Sequence, residues 1–257
     1  MPNFEHMRIS DLDGTKVLVT GASTGIGAAV ARAFAAQGAH VVAHFNRSEA
    51  AAEALRAECP DRIHLIQGDL GEPGAASRVV QAAAQMLGGL DGLINNAGGM
   101  LGRIASTQMP PGHFDEVVNL NARSVWEATV AAHPFLKAAA GYVINTSSVA
   151  ARTGGGAGAV LYGASKSFVS SLTRGHAKEF VADGIRVNAV APGLIQTPFH
   201  DKYTPPALLA QQTASVPMGR EGSPEECVGA FLFLASPALS GYITGQIIEV
   251  NGGQLMP

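Results

Sequence analysis

Short apolar runs rich in valine and isoleucine alternate with longer stretches in which alanine and leucine recur at helical spacing, and the alternation continues along the whole chain. The runs at 16–20, 40–45, 63–67, 92–95, 141–146, 186–190 and 246–250 read as strands. They are apolar almost without interruption, which fits parallel strands covered on both faces better than strands with one wet side. Helical patterns fall between them at 26–37, 48–58, 75–87, 113–139, 160–182 and 224–235. Pro134 should kink or stop the fourth. The prediction is a single doubly wound α/β domain over residues 1–257, Rossmann-type, with about seven parallel strands and helices on both faces.

One segment breaks the rhythm. Residues 192–221 carry several prolines and bulky apolar side chains and match neither period. Connections this long are commonly lids or linkers. Because the strand–helix alternation resumes afterwards, the segment is expected to be an irregular lid over a site at the carboxyl ends of the strands, where open α/β sheets bind ligands.

Composition narrows the function classes. Apolar residues make up 47% of the 257 and charged residues 14%, which excludes a mainly disordered chain. With a net charge of −3 and scattered basic residues, neither nucleic acid nor an anionic membrane is an expected partner. Cys59 and Cys227 form no CxxC pair and read as buried free thiols. No apolar run is long enough for a membrane span, and the start has no basic region followed by an apolar stretch, so a cytoplasmic protein is expected. The eight histidines show no metal-ligand spacing; His40 and His44 are four apart, but on a strand, so no metal is predicted.

Two patterns carry chemistry. The first strand runs into Thr20-Gly21-Ala22-Ser23-Thr24-Gly25-Ile26-Gly27 and then a helix, a turn in which glycines admit a pyrophosphate to the helix N-terminus. It lacks the lysine and hydroxyl of a P-loop. Tyr162 and Lys166, four apart on a predicted helix, share one face. A phenol with a pKa near 10 is a poor base at neutral pH, and an adjacent ammonium would stabilise the phenolate and lower that pKa.

Taken in order with Gly68-Asp69-Leu70, Asn95-Asn96-Ala97-Gly98, Asn121, Ser148, Tyr162-Gly163-Ala164-Ser165-Lys166, Pro192-Gly193 and Val250-Asn251-Gly252-Gly253, these motifs resemble the short-chain dehydrogenase/reductase family over nearly the whole chain. The resemblance implies an NAD(P)-dependent enzyme that moves a hydride between a nicotinamide and a carbonyl or secondary alcohol. It implies Tyr162 as general acid/base, Lys166 lowering its pKa and holding the ribose, Ser148 on the substrate oxygen, and Asn121 at a proton-relay water. Ser148 is preferred to Ser147 because it closes the Ser-Ser pair, and Asn121 to Asn119 from the placing of Phe114 and Trp126. The interval from Ser148 to Tyr162 is one residue longer than in many relatives, an excess assigned to Gly154, Gly155 and Gly156. For the cofactor the resemblance implies Gly21, Ser23, Thr24, Gly25, Ile26 and Gly27 at the phosphates and Asp69 at the adenine amine with Leu70 beside it. It further implies Asn95, Ala97 and Gly98 under the ribose, Asn95 also bracing the sheet, and Pro192, Gly193, Ile195 and Thr197 around the nicotinamide.

Cofactor preference turns on the end of the second strand. NAD-preferring relatives carry a carboxylate at the position that here is Phe45, followed by Asn46, Arg47 and Ser48. Arg47 can grip a 2′-phosphate, with Asn46 and Ser48 as neutral donors, so NADP(H) is expected as the preferred cofactor and NAD(H) as possible. The resemblance also implies a homotetramer, to which the apolar ending 247–256 would contribute cover. The substrate is left open between a 3-oxoacyl thioester and a sugar, polyol or keto acid, with Gly99, Met100, Leu101, Gly102, Arg103 and residues 199–216 as walls. Arg103 is either a contact for an anionic substrate or a solvated loop arginine, and Trp126 either a core or an interface anchor. A catalytically silent dinucleotide-binding regulator is the alternative to an enzyme.

Overall fold

The computed structural model describes residues 8–256, without the side chains of residues 200–202; the first seven residues, which bear on the question of a leader, lie outside the described part. The strands form within two residues of the predicted bounds: β1 (Lys16–Val19), β2 (His40–Phe45), β3 (Ile63–Gln67), β4 (Gly92–Asn95), β5 (Tyr142–Thr146), β6 (Arg186–Pro192) and β7 (Ile247–Val250). They make one seven-stranded sheet in the order β3-β2-β1-β4-β5-β6-β7, every neighbouring pair parallel. From β1 the chain winds outward to β3, and from β4 it winds the other way to β7. That reversal opens a crevice at the carboxyl ends of β1 and β4.

The helices are α1 (Gly25–Ala36), α2 (Glu49–Glu58), α3 (Ala75–Leu87), α4 (His113–Val118), α5 (Ser124–Ala139), α6 (Ala150–Thr153), α7 (Val160–Phe180), α8 (Pro198–Tyr203), α9 (Pro206–Ala214), α10 (Pro224–Ala235) and α11 (Pro237–Ser240). Alternate strand residues feed two cores, one on each side of the sheet. Val17, Val19, Val41 and Ile144 pack with Phe34 of α1 and Phe231 of α10. Leu18, Val42, Leu93 and Val143 pack on the other side with Val80 of α3, Leu136 of α5 and Phe180 of α7. The central strands β1, β4, β5 and β6 are buried almost throughout, as their largely apolar character requires, whereas the edge strands β3 and β7 are partly exposed.

Three expectations are corrected. The pattern at 113–139 is two helices joined by a wide π-turn at Asn119–Arg123, where the Ser124 N–H reaches back five residues to the Asn119 carbonyl. Pro134 does not stop α5: Val130, whose carbonyl loses the N–H, and Pro134 both lie on the exposed face, where the carbonyl is open to solvent. Residues 192–221 are not irregular but hold α8 and α9, each beginning at a proline. A first-turn proline gives up only an N–H that has no partner there. Cys227 is a buried free thiol as expected, whereas Cys59 is half-buried. Trp126 is 48% exposed and so is no core residue; it lines an apolar surface groove with Phe114 and Phe168. Among the described residues no helix is long and apolar enough to cross a membrane, and no cluster of three or more potential metal ligands occurs.

Candidate active site

The glycine turn between β1 and α1 is held by backbone contact. A Cβ on Gly27 would lie 2.2 Å from the Gly21 carbonyl oxygen, and one on Gly21 2.8 Å from the Ala97 Cα, so neither position admits another residue. The turn is braced from both neighbouring strands. Thr20 Oγ1 accepts the Asn96 and Ala97 N–H groups at 2.9 and 3.0 Å, and Asn96 Nδ2 donates to the Thr20 and Gly21 carbonyls, both at 3.0 Å. From β2, His44 Nδ1 accepts the Gly21 N–H at 3.1 Å while Nε2 lies 3.1 Å from the Gly68 carbonyl. A backbone N–H only donates and a carbonyl only accepts, which makes the ring neutral with its proton on Nε2. Burial also pulls the His44 pKa below the usual histidine value. In the sequence His44 carries no predicted site role; its signal is its place near the carboxyl end of β2, beside the glycine turn.

One cleft of about 1130 Å³ runs from this turn across the carboxyl ends of the strands. At one end Ser23, Thr24, Gly25 and Ile26 line it with Asn46, Arg47 and Ser48 after β2 and Asp69 and Leu70 after β3. Asp69 Oδ1 already accepts the Gly71 N–H at 2.9 Å. Ala97, Gly98, Pro192, Gly193, Ile195 and Thr197 continue the lining toward Ser148, Tyr162 and Lys166. The glycine cradle, the N-terminus of α1 and the volume fit a nicotinamide dinucleotide with a small substrate.

Tyr162 and Lys166 project from the first turns of α7. Lys166 Nζ donates to the Thr146 carbonyl at 2.7 Å and stands 5.8 Å from the centre of the Tyr162 ring. Burial dominates both groups: the Tyr162 phenol is pushed up to about 12, opposed by a hydrogen bond with Ser148, and the Lys166 ammonium is pushed down to about 8. In the protein alone burial is the larger influence on the phenol, and the Lys166 ammonium is bonded to the Thr146 carbonyl. Both serines border the cleft, but Ser147 is buried with its Oγ 2.7 Å from Ser170 Oγ, while Ser148 is half-buried and is the one hydrogen-bonded to the Tyr162 phenol. Gly154 and Gly155 turn the chain with positive φ between α6 and α7, where the extra residue was assigned.

Two predicted site residues do not reach the cleft. Asn95 turns into the sheet, donating through Nδ2 to Thr129 Oγ1 at 3.0 Å and Asn145 Oδ1 at 2.9 Å, so it braces β4 against β5 and α5 and does not line the ribose site. Asn121 is fully buried in the π-turn. Its Oδ1 accepts the Gly99 N–H at 2.9 Å, and its Nδ2 donates to the Gly99 carbonyl at 2.8 Å and the Val117 carbonyl at 2.9 Å. Both of its amide N–H groups and one side of its oxygen are thus taken by backbone, so the side chain itself does not open on the cleft. It backs the cleft wall instead: a Cβ on Gly98 would stand 2.7 Å from Asn121 Oδ1 and 3.2 Å from Lys166 Nζ.

Beyond Tyr162 the cleft is walled by aromatic rings. The Tyr162 and Phe199 centroids are 5.4 Å apart, and Phe199 meets Tyr203 edge-on at 5.3 Å. Arg103 joins this wall through a hydrogen bond from Nε to the Tyr203 carbonyl at 3.2 Å.

A family model described as enoyl-(acyl carrier protein) reductase matches residues 21–254. The chain is 36% identical over 246 residues to the 3-oxoacyl-(acyl-carrier-protein) reductase FabG of Thermotoga maritima, covering 94% of this chain and 98% of that one. Among solved structures it is similar to the NADH-dependent reductase A1-R' complexed with NAD, at TM-score 0.86 and 39% identity over 96% of this chain and 99% of that one. A short-chain dehydrogenase of Burkholderia cenocepacia in complex with NADP superimposes at TM-score 0.87 with 31% identity, over 95% and 99% of the two chains.

Proposed function

Because the chain belongs to the short-chain dehydrogenase/reductase family, and so is an NAD(P)-dependent oxidoreductase, we propose that it interconverts a carbonyl compound and its secondary alcohol with Tyr162 as general acid/base. The observation that carries this reading is the meeting of Tyr162, Ser148 and Lys166 in the same cleft as the glycine turn. When bound, the nicotinamide supplies the hydride equivalent for the carbonyl carbon. Tyr162 Oη gives its proton to the carbonyl oxygen, so that negative charge does not build up there. Ser148, hydrogen-bonded to the phenol, takes the other side of that oxygen. Lys166 keeps one N–H on the Thr146 carbonyl, leaving two for the ribose and for the phenolate as it forms. Asn121 acts as a positioning residue, holding the wall formed by residues 98–99 against Lys166.

The test is a turnover screen of ketones and secondary alcohols with both nicotinamides, read by the absorbance of the reduced form. Turnover that vanishes in Tyr162→Phe supports the reading. No turnover on any member would instead favour the silent regulator.

NADP(H) is the proposed preferred cofactor. Arg47 and Ser48 stand exposed beside Asn46 at the end of β2, Phe45 is buried, and no carboxylate occupies that strand end to repel a 2′-phosphate. The relative complexed with NAD shows that this family also accepts the unphosphorylated cofactor. Comparing kcat/KM for NADPH and NADH in wild type and Arg47→Ala decides it: a selective loss with NADPH supports the role, and an equal loss removes it. The apolar groove of Phe114, Trp126 and Phe168 supports a homotetramer as the working assembly.

A further inference from the structure

We propose that Arg103 makes this site selective for carbonyl substrates that carry an anionic group, a carboxylate or a phosphate, a few carbons from the carbonyl; the inference rests on the oxidoreductase reading above. Arg103 follows the turn after β4 and lines the cleft together with Tyr162, Phe199 and Tyr203. Its side chain is partly committed. Nε donates to the Tyr203 carbonyl at 3.2 Å and Nη1 to the Ala157 carbonyl at 2.9 Å. Those bonds use two of the five N–H groups of a guanidinium. The other three have no partner among the described residues, and no carboxylate pairs with Arg103 there.

This is the arrangement of a preorganised anion receptor. An arginine on a free loop gives up rotamer freedom when it closes on an anion, whereas Arg103 is already tethered to α8 on one side and to residues 154–158 on the other. Its planar fork then presents donors in the geometry that carboxylate and phosphate oxygens accept. The other cations lining the cleft are placed differently. Lys166 is bonded to the Thr146 carbonyl beside Tyr162, and Arg47 stands after β2 with Asn46 and Ser48. Tyr162, Phe199 and Tyr203 touch one another in series along the cleft, and Arg103 is bonded to the Tyr203 carbonyl at the far end of that row. That row suits an anion separated from the carbonyl by several carbons and not one on the adjacent carbon.

The experiment measures kcat/KM for levulinate and its longer homologues, each against its methyl ester, and for a ketoalkyl phosphate against the corresponding ketoalcohol. Wild type, Arg103→Gln and Arg103→Lys are compared, with melting temperatures checked first. In wild type the charged member of at least one pair should be favoured by about ten- to a hundredfold, the ratio a charge-assisted hydrogen-bonded pair supplies. The carboxylate and phosphate series tell which anion is recognised. Arg103→Gln should bring the ratio close to one, and Arg103→Lys, which keeps the charge without the fork, should retain part of it. A wild-type ratio near one in every pair overturns the proposal. So does a ratio that survives in Arg103→Gln, including the case where charged and neutral members lose equally, since that is the behaviour of a tether alone. No turnover on any member with either nicotinamide overturns the oxidoreductase reading, and this inference with it.

Discussion

Burial holds the Tyr162 phenol at about 12 and the Lys166 ammonium at about 8, so near neutral pH both groups are protonated. That state suits reduction, in which Tyr162 donates its proton and the Lys166 ammonium stabilises the phenolate left behind. Tyr162→Phe is expected to fold and to bind cofactor, since the ring and its contact with Phe199 remain, but to lose turnover by about 10²- to 10⁴-fold. Steady-state kinetics beside a cofactor-binding titration checks this. For pH, kcat/KM for reduction should be level up to about pH 7 and then fall with an apparent pKa of about 8 as Lys166 loses its proton. A profile still level two units higher would exclude that assignment. His44 offers a third test. Leucine at this position leaves the Gly21 N–H and the Gly68 carbonyl without the ring that now bridges them. His44→Leu should therefore lower stability by about 1–3 kcal/mol in urea unfolding and raise the KM for cofactor, because the phosphate turn loses its brace.

At the scale of elements, the catalytic groups are positioned by departures from regular structure. The π-turn between α4 and α5 brings the Asn121 amide onto the backbone of Gly99, which a continuous helix through 113–139 would turn elsewhere; single wide turns of this kind recur at functional sites. The α8–α9 segment is fastened to the body through the Ile195–Gly222 bridge at its base and the Arg103–Tyr203 contact near its middle. No residue of α9 is buried. A segment with so little buried surface opens at low cost. Hydrogen exchange of residues 198–214 is expected to slow on addition of cofactor and substrate; equal protection with and without them would remove the lid assignment.

For the whole molecule, the strand order places the glycine turn and the Tyr162–Lys166 helix on opposite sides of the chain reversal, so that one cleft serves both ends of a dinucleotide. On one side of the sheet, residues of α4, α5 and α7 line a shared surface groove. There Phe114, Trp126 and Phe168 are 56%, 48% and 46% exposed, and an apolar groove of this kind between helices marks an interaction surface. Light scattering at micromolar concentration is expected to give the mass of a tetramer. Trp126→Glu, which places a charge in that groove, should shift the population to smaller species with the monomer fold intact by circular dichroism. A stable wild-type monomer would contradict the assembly.

The alternation of largely apolar strands with amphipathic helices was legible in the chain because burial on both faces leaves a local mark: most residues of such a strand are apolar, and every covering helix must repeat at its own period. The glycine turn and the Tyr162–Lys166 pair were legible for the same reason, since close backbone approach and a one-turn spacing are properties of neighbours in sequence. What the chain could not disclose was direction. Whether Asn95 faces ribose or sheet, and whether Asn121 opens on the cleft or closes on Gly99, depends on where the next strand or turn supplies a partner. Ser147 and Ser148, adjacent in sequence, part company because the hydroxyl of one meets Ser170 and that of the other meets the Tyr162 phenol. The pKa order of Tyr162 and Lys166 is likewise a tertiary property, because desolvation is set by everything packed around a group and not by the residue four positions away.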